Sequence, residues 1–296
     1  MRDQSTLNRP LRITGVGLHS GRHATALLQP APPDHGIVFY RSDVDSFVPA
    51  RAEEAGHFDH ATTLGPHGRE VGTVEHLLSA AFGIGLDNVL VEIDGPEIPI
   101  LDGSAAPWTR AFREAGVVRQ GRPIAPFMPT RTIVVPGGGG KRLEIRPGRE
   151  LRVTYTIDFP HPVIGRQSLT VVVSPESYMK HVAPARTFGF LAEYEQLKAH
   201  GLARGASAHN CIVVGHDRIE NGELRFPDEF VRHKVLDLLG DLALVGRPIL
   251  GHVIAHRAGH SLHAALARLL REESRGANVA TAVSAGSRSA AFADAR

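Results

Sequence analysis

The pattern of apolar and polar positions divides the chain into β-rich and helical stretches. Ala24-Thr25-Ala26-Leu27-Leu28 and Gly36-Ile37-Val38-Phe39-Tyr40 read as strands, kept apart by Pro30, Pro32 and Pro33, which cannot donate to a ladder. A run through Glu75, His76, Leu77, Leu78, Ala80, Ala81 and Phe82 to Gly83 predicts a helix, with Thr73 as its N-cap. Asn88 to Ile93 follows as a strand, and Pro107 to Glu114 as a second helix closed by Gly116. Residues 121–126, Gly-Arg-Pro-Ile-Ala-Pro, are the expected linker.

A second part opens with strands at 132–135, 142–145, 151–159 and 168–173, and helices are expected at 193–200, 228–244 and 260–273. The glycine run 137–140 has no helix after it, so it predicts a hairpin turn and not a phosphate loop. From residue 274 to 296 the chain is Ala/Ser-rich with almost no large apolar side chains, and a disordered tail is expected. The linker divides the chain into parts at 1–124 and 125–273. A faint echo links them: Val74-Glu75-His76 precedes Gly83 as Val231-Arg232-His233 precedes Gly240.

Composition narrows the functional classes. Thirty-three basic residues against 31 acidic ones leave a net charge of +2, with no basic block interleaved with aromatics, so no nucleic-acid partner is expected. A single cysteine, Cys211, leaves no internal disulfide framework and fits a reducing compartment. No apolar run approaches the roughly 20 residues of a membrane span. A cytoplasmic monomer with at most peripheral membrane contact is expected. Seventeen histidines against one tryptophan direct attention to where the imidazoles fall.

Three segments carry candidate chemistry. In His233-Lys234-Val235-Leu236-Asp237-Leu238-Leu239-Gly240-Asp241, helical spacing puts His233 and Asp237 on one face, with Asp241 continuing the stripe. Burying such a stripe is costly unless it is paired or binds a metal, yet a solvated polar face explains the helix nearly as well. Glu75-His76 opens the other apolar helix, where a ligand with a neighbouring base and a simple capping arrangement both fit. His260, after Gly259 at a helix start, could donate a proton if a carboxylate such as Asp241 kept it charged.

In this order the segments resemble the UDP-3-O-acyl-N-acetylglucosamine deacetylases, zinc amidohydrolases that commit sugar nucleotides to lipid A in Gram-negative bacteria. The resemblance is carried by Gly15-Val16-Gly17-Leu18-His19-Ser20-Gly21, Thr73-Val74-Glu75-His76-Leu77, the run 96–107 from Pro96 to Pro107, Ala185-Arg186-Thr187-Phe188-Gly189-Phe190, Asn210 to Val213 and the run 225–234 from Arg225 to Lys234. It covers roughly residues 5 to 270.

The resemblance implies two similar α+β domains, with helices sandwiched between two sheets and the site between the domains. It implies zinc, or iron(II) in its place, held by His76, His233 and Asp237, and Glu75 as general base toward water. His260 would be the general acid, kept charged by Asp241, and Thr187 would help hold the oxyanion. The implied substrate, UDP-3-O-acyl-N-acetylglucosamine, would meet Lys234 at its diphosphate and Phe159 at uracil. Lys141 and Arg257 would lie near the nucleotide. Phe188 and the insert from Phe190 to Leu202 would line the acyl passage. His19 lies in a family motif without an assigned role. Two other readings stay open. One is an amidohydrolase for a different acylated sugar nucleotide. The other is a non-catalytic relative, although that would have lost Glu75, His260 or a ligand, and all are present.

Overall fold

A computed structural model describes residues 1–58 and 60–290. In chain order the first half runs β1 (Arg2–Leu7), β2 (Leu11–Val16), β3 (His23–Pro30), β4 (Ile37–Arg41), β5 (Ser46–Pro49), β6 (Ala55–His57) and β7 (Thr63–Leu64). It continues with α1 (Glu75–Ile84), β8 (Val89–Ile93), α2 (Ala106–Ala115) and β9 (Val117–Ile124). The second half holds β10 (Ile133–Pro136), β11 (Arg142–Arg146), β12 (Leu151–Asp158), β13 (Arg166–Val172) and α3 (Pro175–His181). It ends with β14 (Phe188–Phe190), α4 (Leu191–Ala199), β15 (Ile212–Val214), α5 (Glu229–Leu242), β16 (Gly251–His256) and α6 (His260–Ala290).

The expected α+β class holds, and the faint sequence echo is a repeated topology. One five-stranded sheet is ordered β2-β3-β8-β4-β5 and the other β10-β11-β16-β12-β13. Each has one parallel pair, β4–β8 and β12–β16, within otherwise antiparallel pairing. In each, a helix leads into the strand that completes the sheet, and another helix follows: α1, β8, α2 and α5, β16, α6. The apolar faces of both sheets and of α1 and α5 merge into one core, with Leu28, Phe39, Leu77, Leu78, Tyr155, Leu236 and Leu239 among its fully buried members. Each such side chain contributes roughly 1.5–3 kcal/mol of transfer free energy. Almost no α1 or α5 residue faces solvent, which leaves their few polar side chains buried against one another.

Two expectations need correction. Thr73 does not cap α1: the cap is Val74, with no side-chain bond, while Thr73 takes φ +55° and donates its hydroxyl to Glu97. Residues 121–126 do not form a free linker, because β9 continues to Ile124 and pairs with β1. Within the stretch from 274, where a disordered tail is expected, the backbone of α6 runs on to Ala290. Residues 291–296 lie outside the described residues. The glycine run forms the expected hairpin turn between β10 and β11. No helix among the described residues is long and apolar enough to cross a membrane.

Candidate metal centre and active site

The site forms where α1 and α5 touch backbone to backbone. Gly240 permits the contact: a Cβ there would lie 2.2 Å from the Glu75 carbonyl oxygen. That proximity sets His76 edge-on to His233, with ring centroids 5.1 Å apart at 87°. Asp237 completes the group, its Oδ1 3.2 Å from His233 Nε2 and 3.8 Å from His76 Nε2. One ligand atom from each of the three lies within 4.8 Å of the others, and all three residues are buried.

The donor set fits a divalent ion of zinc or iron(II) type. Atoms that share one ion at about 2 Å stand roughly 3–4 Å apart, as each imidazole Nε2 does from Asp237 Oδ1. His233 Nδ1 bonds to the Ala185 carbonyl at 3.1 Å, which fixes the proton on Nδ1 and leaves the Nε2 lone pair facing Asp237. Burial, aided by the neighbouring His233, pushes His76 down to about 3, so its imidazole is neutral at pH 7. Burial alone would raise the Asp237 carboxyl, but His233, Lys234, His260 and His76 outweigh it and hold the group ionised. Two neutral imidazoles and one carboxylate, with room for a fourth ligand, match a catalytic zinc set.

Beside this triad stands a second buried cluster. Desolvation raises Glu75 to about 8, with further upward pressure from Asp237 and Asp241. His260 moves the other way from its burial. Desolvation would lower it, but Asp241, at 2.8 Å from Nδ1, with Asp237 and Glu75 beyond, raises it to about 9. The His260 imidazole is therefore charged at neutral pH. Asp241 is fully buried and accepts from His260, from His263 Nδ1 at 2.9 Å and from Thr62 Oγ1 at 2.6 Å. His263 Nε2 lies 3.0 Å from the Tyr155 hydroxyl, which donates to Ala258 O at 2.8 Å.

A cleft of about 330 Å³ opens over both clusters, and Thr187, Phe188, Phe159 and Lys234 line it with the metal-centre residues. The Thr187 backbone is pinned on both sides, N–H to Gly103 O at 2.8 Å and C=O from Ile212 N at 2.8 Å. Phe159, Phe188 and Phe190 pack at centroid distances of 5.8 to 6.4 Å. Lys234 donates to Asp237 Oδ2 at 2.6 Å. Lys141 and Arg257 are not among the lining residues. They stand at the β10–β11 hairpin, where Arg257 donates to Gly139 O at 3.3 Å.

Sequence reasoning missed Thr62, Tyr155, His263 and Glu97. Thr62 lies in a segment without periodicity, and Tyr155 looked like any inward strand residue. His263 stands three residues after His260 and so shares its helix face, a signal that could have been used. Glu97, beyond its place in the Pro96-to-Pro107 motif, carried no role. Its carboxylate gathers the Thr73 hydroxyl at 2.8 Å and the backbone N–H groups of His19 and Ser20 at 2.8 and 2.7 Å. That bond set fixes the loop carrying His19, whose Nε2 is buried without a partner among the described residues.

The profile of the UDP-3-O-acyl N-acetylglycosamine deacetylase family matches residues 4–272. A protein of Myxococcus xanthus named UDP-3-O-acyl-N-acetylglucosamine deacetylase is 48% identical over 269 residues, 90% of this chain and 85% of its own length. Proteins of the same name from Syntrophotalea carbinolica and Solibacter usitatus are each 46% identical, covering 88% and 93% of this chain and 85% and 93% of their own.

Proposed function

The chain belongs to the UDP-3-O-acyl-N-acetylglucosamine deacetylase family, and from that premise we propose that His76, His233 and Asp237 hold a zinc ion for the family's reaction. The enzyme hydrolyses the N-acetyl group of UDP-3-O-acyl-N-acetylglucosamine, giving the free amine and acetate, a step of lipid A biosynthesis. When bound, a divalent ion in this set acidifies water, polarises the amide carbonyl and favours the ionised form of Glu75 by its charge. The ligand set also suits iron(II).

The remaining work falls to the chain's own side chains. Glu75 takes a proton from the attacking water as the C–O bond forms. The Thr187 hydroxyl donates to the former carbonyl oxygen as it becomes an anion. His260, charged through Asp241, gives its proton to the nitrogen, so that the C–N bond breaks to a neutral amine and acetic acid, which loses its proton to become acetate. Lys234 can leave Asp237 for the substrate's diphosphate, and Phe159 offers a ring for uracil. Lys141 and Arg257 would meet only parts of the nucleotide that reach the β10–β11 hairpin. Phe188 and Phe190 give the acyl chain an apolar wall.

The observation that supports this reading most is geometric: metal-binding atoms of His76, His233 and Asp237 converge on one cleft that Glu75 and His260, the latter held by Asp241 at 2.8 Å, also line. Glu75→Gln tests it by acetate release and metal analysis. Metal should stay bound at the wild-type ratio while kcat falls by at least ~100-fold, the usual weight of general acid–base catalysis. Unimpaired turnover would remove Glu75 from the reaction.

A further inference from the structure

Thr62 connects the two proton-handling groups across the two halves of the chain. It is fully buried on the approach to β7, in the first half. Its backbone N–H donates to Glu75 Oε2 at 3.1 Å. Its hydroxyl donates to Asp241 Oδ1 at 2.6 Å, and the same oxygen lies 3.1 Å from His260 Nδ1. Because Asp241 Oδ1 takes the hydroxyl proton, Thr62 Oγ1 is left as an acceptor toward the His260 N–H. Asp241 Oδ2 is occupied by His260 and His263. Both carboxylate oxygens therefore have fixed partners, and the plane that Asp241 presents to His260 is determined by Thr62 on one side and His263 on the other.

We infer that Thr62 is a positioning residue for the deacetylation: its N–H orients Glu75 and its hydroxyl orients the Asp241–His260 pair, setting one against the other. The inference rests on the acid and base roles proposed above. A threonine suits the task because its β-branch restricts χ1, so one rotamer delivers the hydroxyl while the backbone serves the other partner. Among the described residues, the side-chain hydrogen bonds of Thr62 and its N–H bond run to Glu75, Asp241 and His260 and not to His76, His233 or Asp237, so its contribution is separable from metal binding.

Thr62→Val keeps the shape and the N–H but deletes the hydroxyl, whereas Thr62→Ser keeps the hydroxyl. In the metal-loaded enzyme, Val should lower kcat by ~10- to 100-fold, the range for removing a hydrogen-bonded group behind a catalytic residue, with KM and bound metal unchanged. Ser should restore most of the rate. In the metal-free protein, the His260 Nδ1–H resonance should move in Val and stay in place in Ser. Thr62→Ala carries the same expectation if Val does not fold. Glu75→Gln and His260→Ala run in parallel. If they collapse while Val retains the wild-type kcat, or if Ser is as slow as Val, the positioning role is refuted and the acid–base reading stands. If both remain fully active, the acid–base reading falls and the role of Thr62 with it.

Discussion

Gly240→Ala is a sensitive probe of how the site is assembled, because two effects of known size oppose each other. Within a helix, alanine is favoured over glycine by ~0.8–1 kcal/mol, so propensity alone predicts a more stable protein. The structure predicts the reverse. The added Cβ would sit 2.2 Å from Glu75 O, 2.8 Å from its carbonyl carbon and 3.0 Å from its Cα, all backbone atoms. Carbon and oxygen need about 1 Å more, and two packed helices can supply it only by moving apart; such overpacking costs ~1–3 kcal/mol or more. The net effect is a loss of up to ~2 kcal/mol, a fall in Tm of ~2–4 °C per kcal/mol. Function should suffer more, since the same displacement carries His76 away from His233 and Asp237, and a 1 Å misplacement can cost ~100-fold in rate. Thermal unfolding, a metal-competition titration and acetate release measure the three consequences. An alanine variant with wild-type or higher Tm and undiminished metal affinity would refute the claim that this contact sets the site.

Two further predictions concern how Thr187 and His233 are held. Glu229, fully buried, accepts from Arg186 N and Nε at 3.0 and 2.9 Å and from Arg225 N at 2.5 Å; burial would raise its carboxyl, but Arg186 wins and holds it below its ordinary value. A depressed folded-state pKa adds stability that is present above the unfolded value and lost as pH falls through the folded one. Glu229→Gln should therefore be ~2–3 kcal/mol less stable at neutral pH, and urea unfolding should show the gap to wild type closing below the ordinary carboxylate range; a pH-independent gap would contradict this. Gly103 has φ +81°, and a Cβ there would stand 2.1 Å from Asn210 O. Gly103→Ala should displace the carbonyl that holds Thr187 N–H and lower kcat at least ~10-fold with metal content unchanged, as steady-state kinetics with metal analysis would show.

The sequence displayed the periodic parts of this molecule. α1 and α5 were legible because their apolar runs are continuous, and the hairpin at 137–140 because glycine runs without a following helix have few other uses. β2 and β5 were not found, since they are short and carry Arg12, Gly15, Ser46 and Pro49 among their apolar residues. Thr73 has the composition of a cap, but its hydroxyl is drawn to Glu97, 24 residues on, a tertiary competitor that no local pattern contains. In the site, His233 and Asp237 share a helix face and were visible as a pair. Their union with His76 depends on Gly240 meeting Glu75 across the core, and Thr62 enters only through contacts 13 and 179 residues away. Spacing within an element is readable from sequence, whereas convergence between elements is fixed by packing. The family motifs supplied that convergence.

The proposed role of His76, His233 and Asp237, holding the metal on which deacetylation depends, can be tested on the purified protein. The most direct measurement strips the purified protein with a chelator and titrates zinc back while following acetate release from UDP-3-O-acyl-N-acetylglucosamine. The stripped protein should show no turnover and rise to a plateau at one zinc per chain, with His233→Ala neither binding that equivalent nor recovering. Full acetate release by protein that elemental analysis finds metal-free would contradict it.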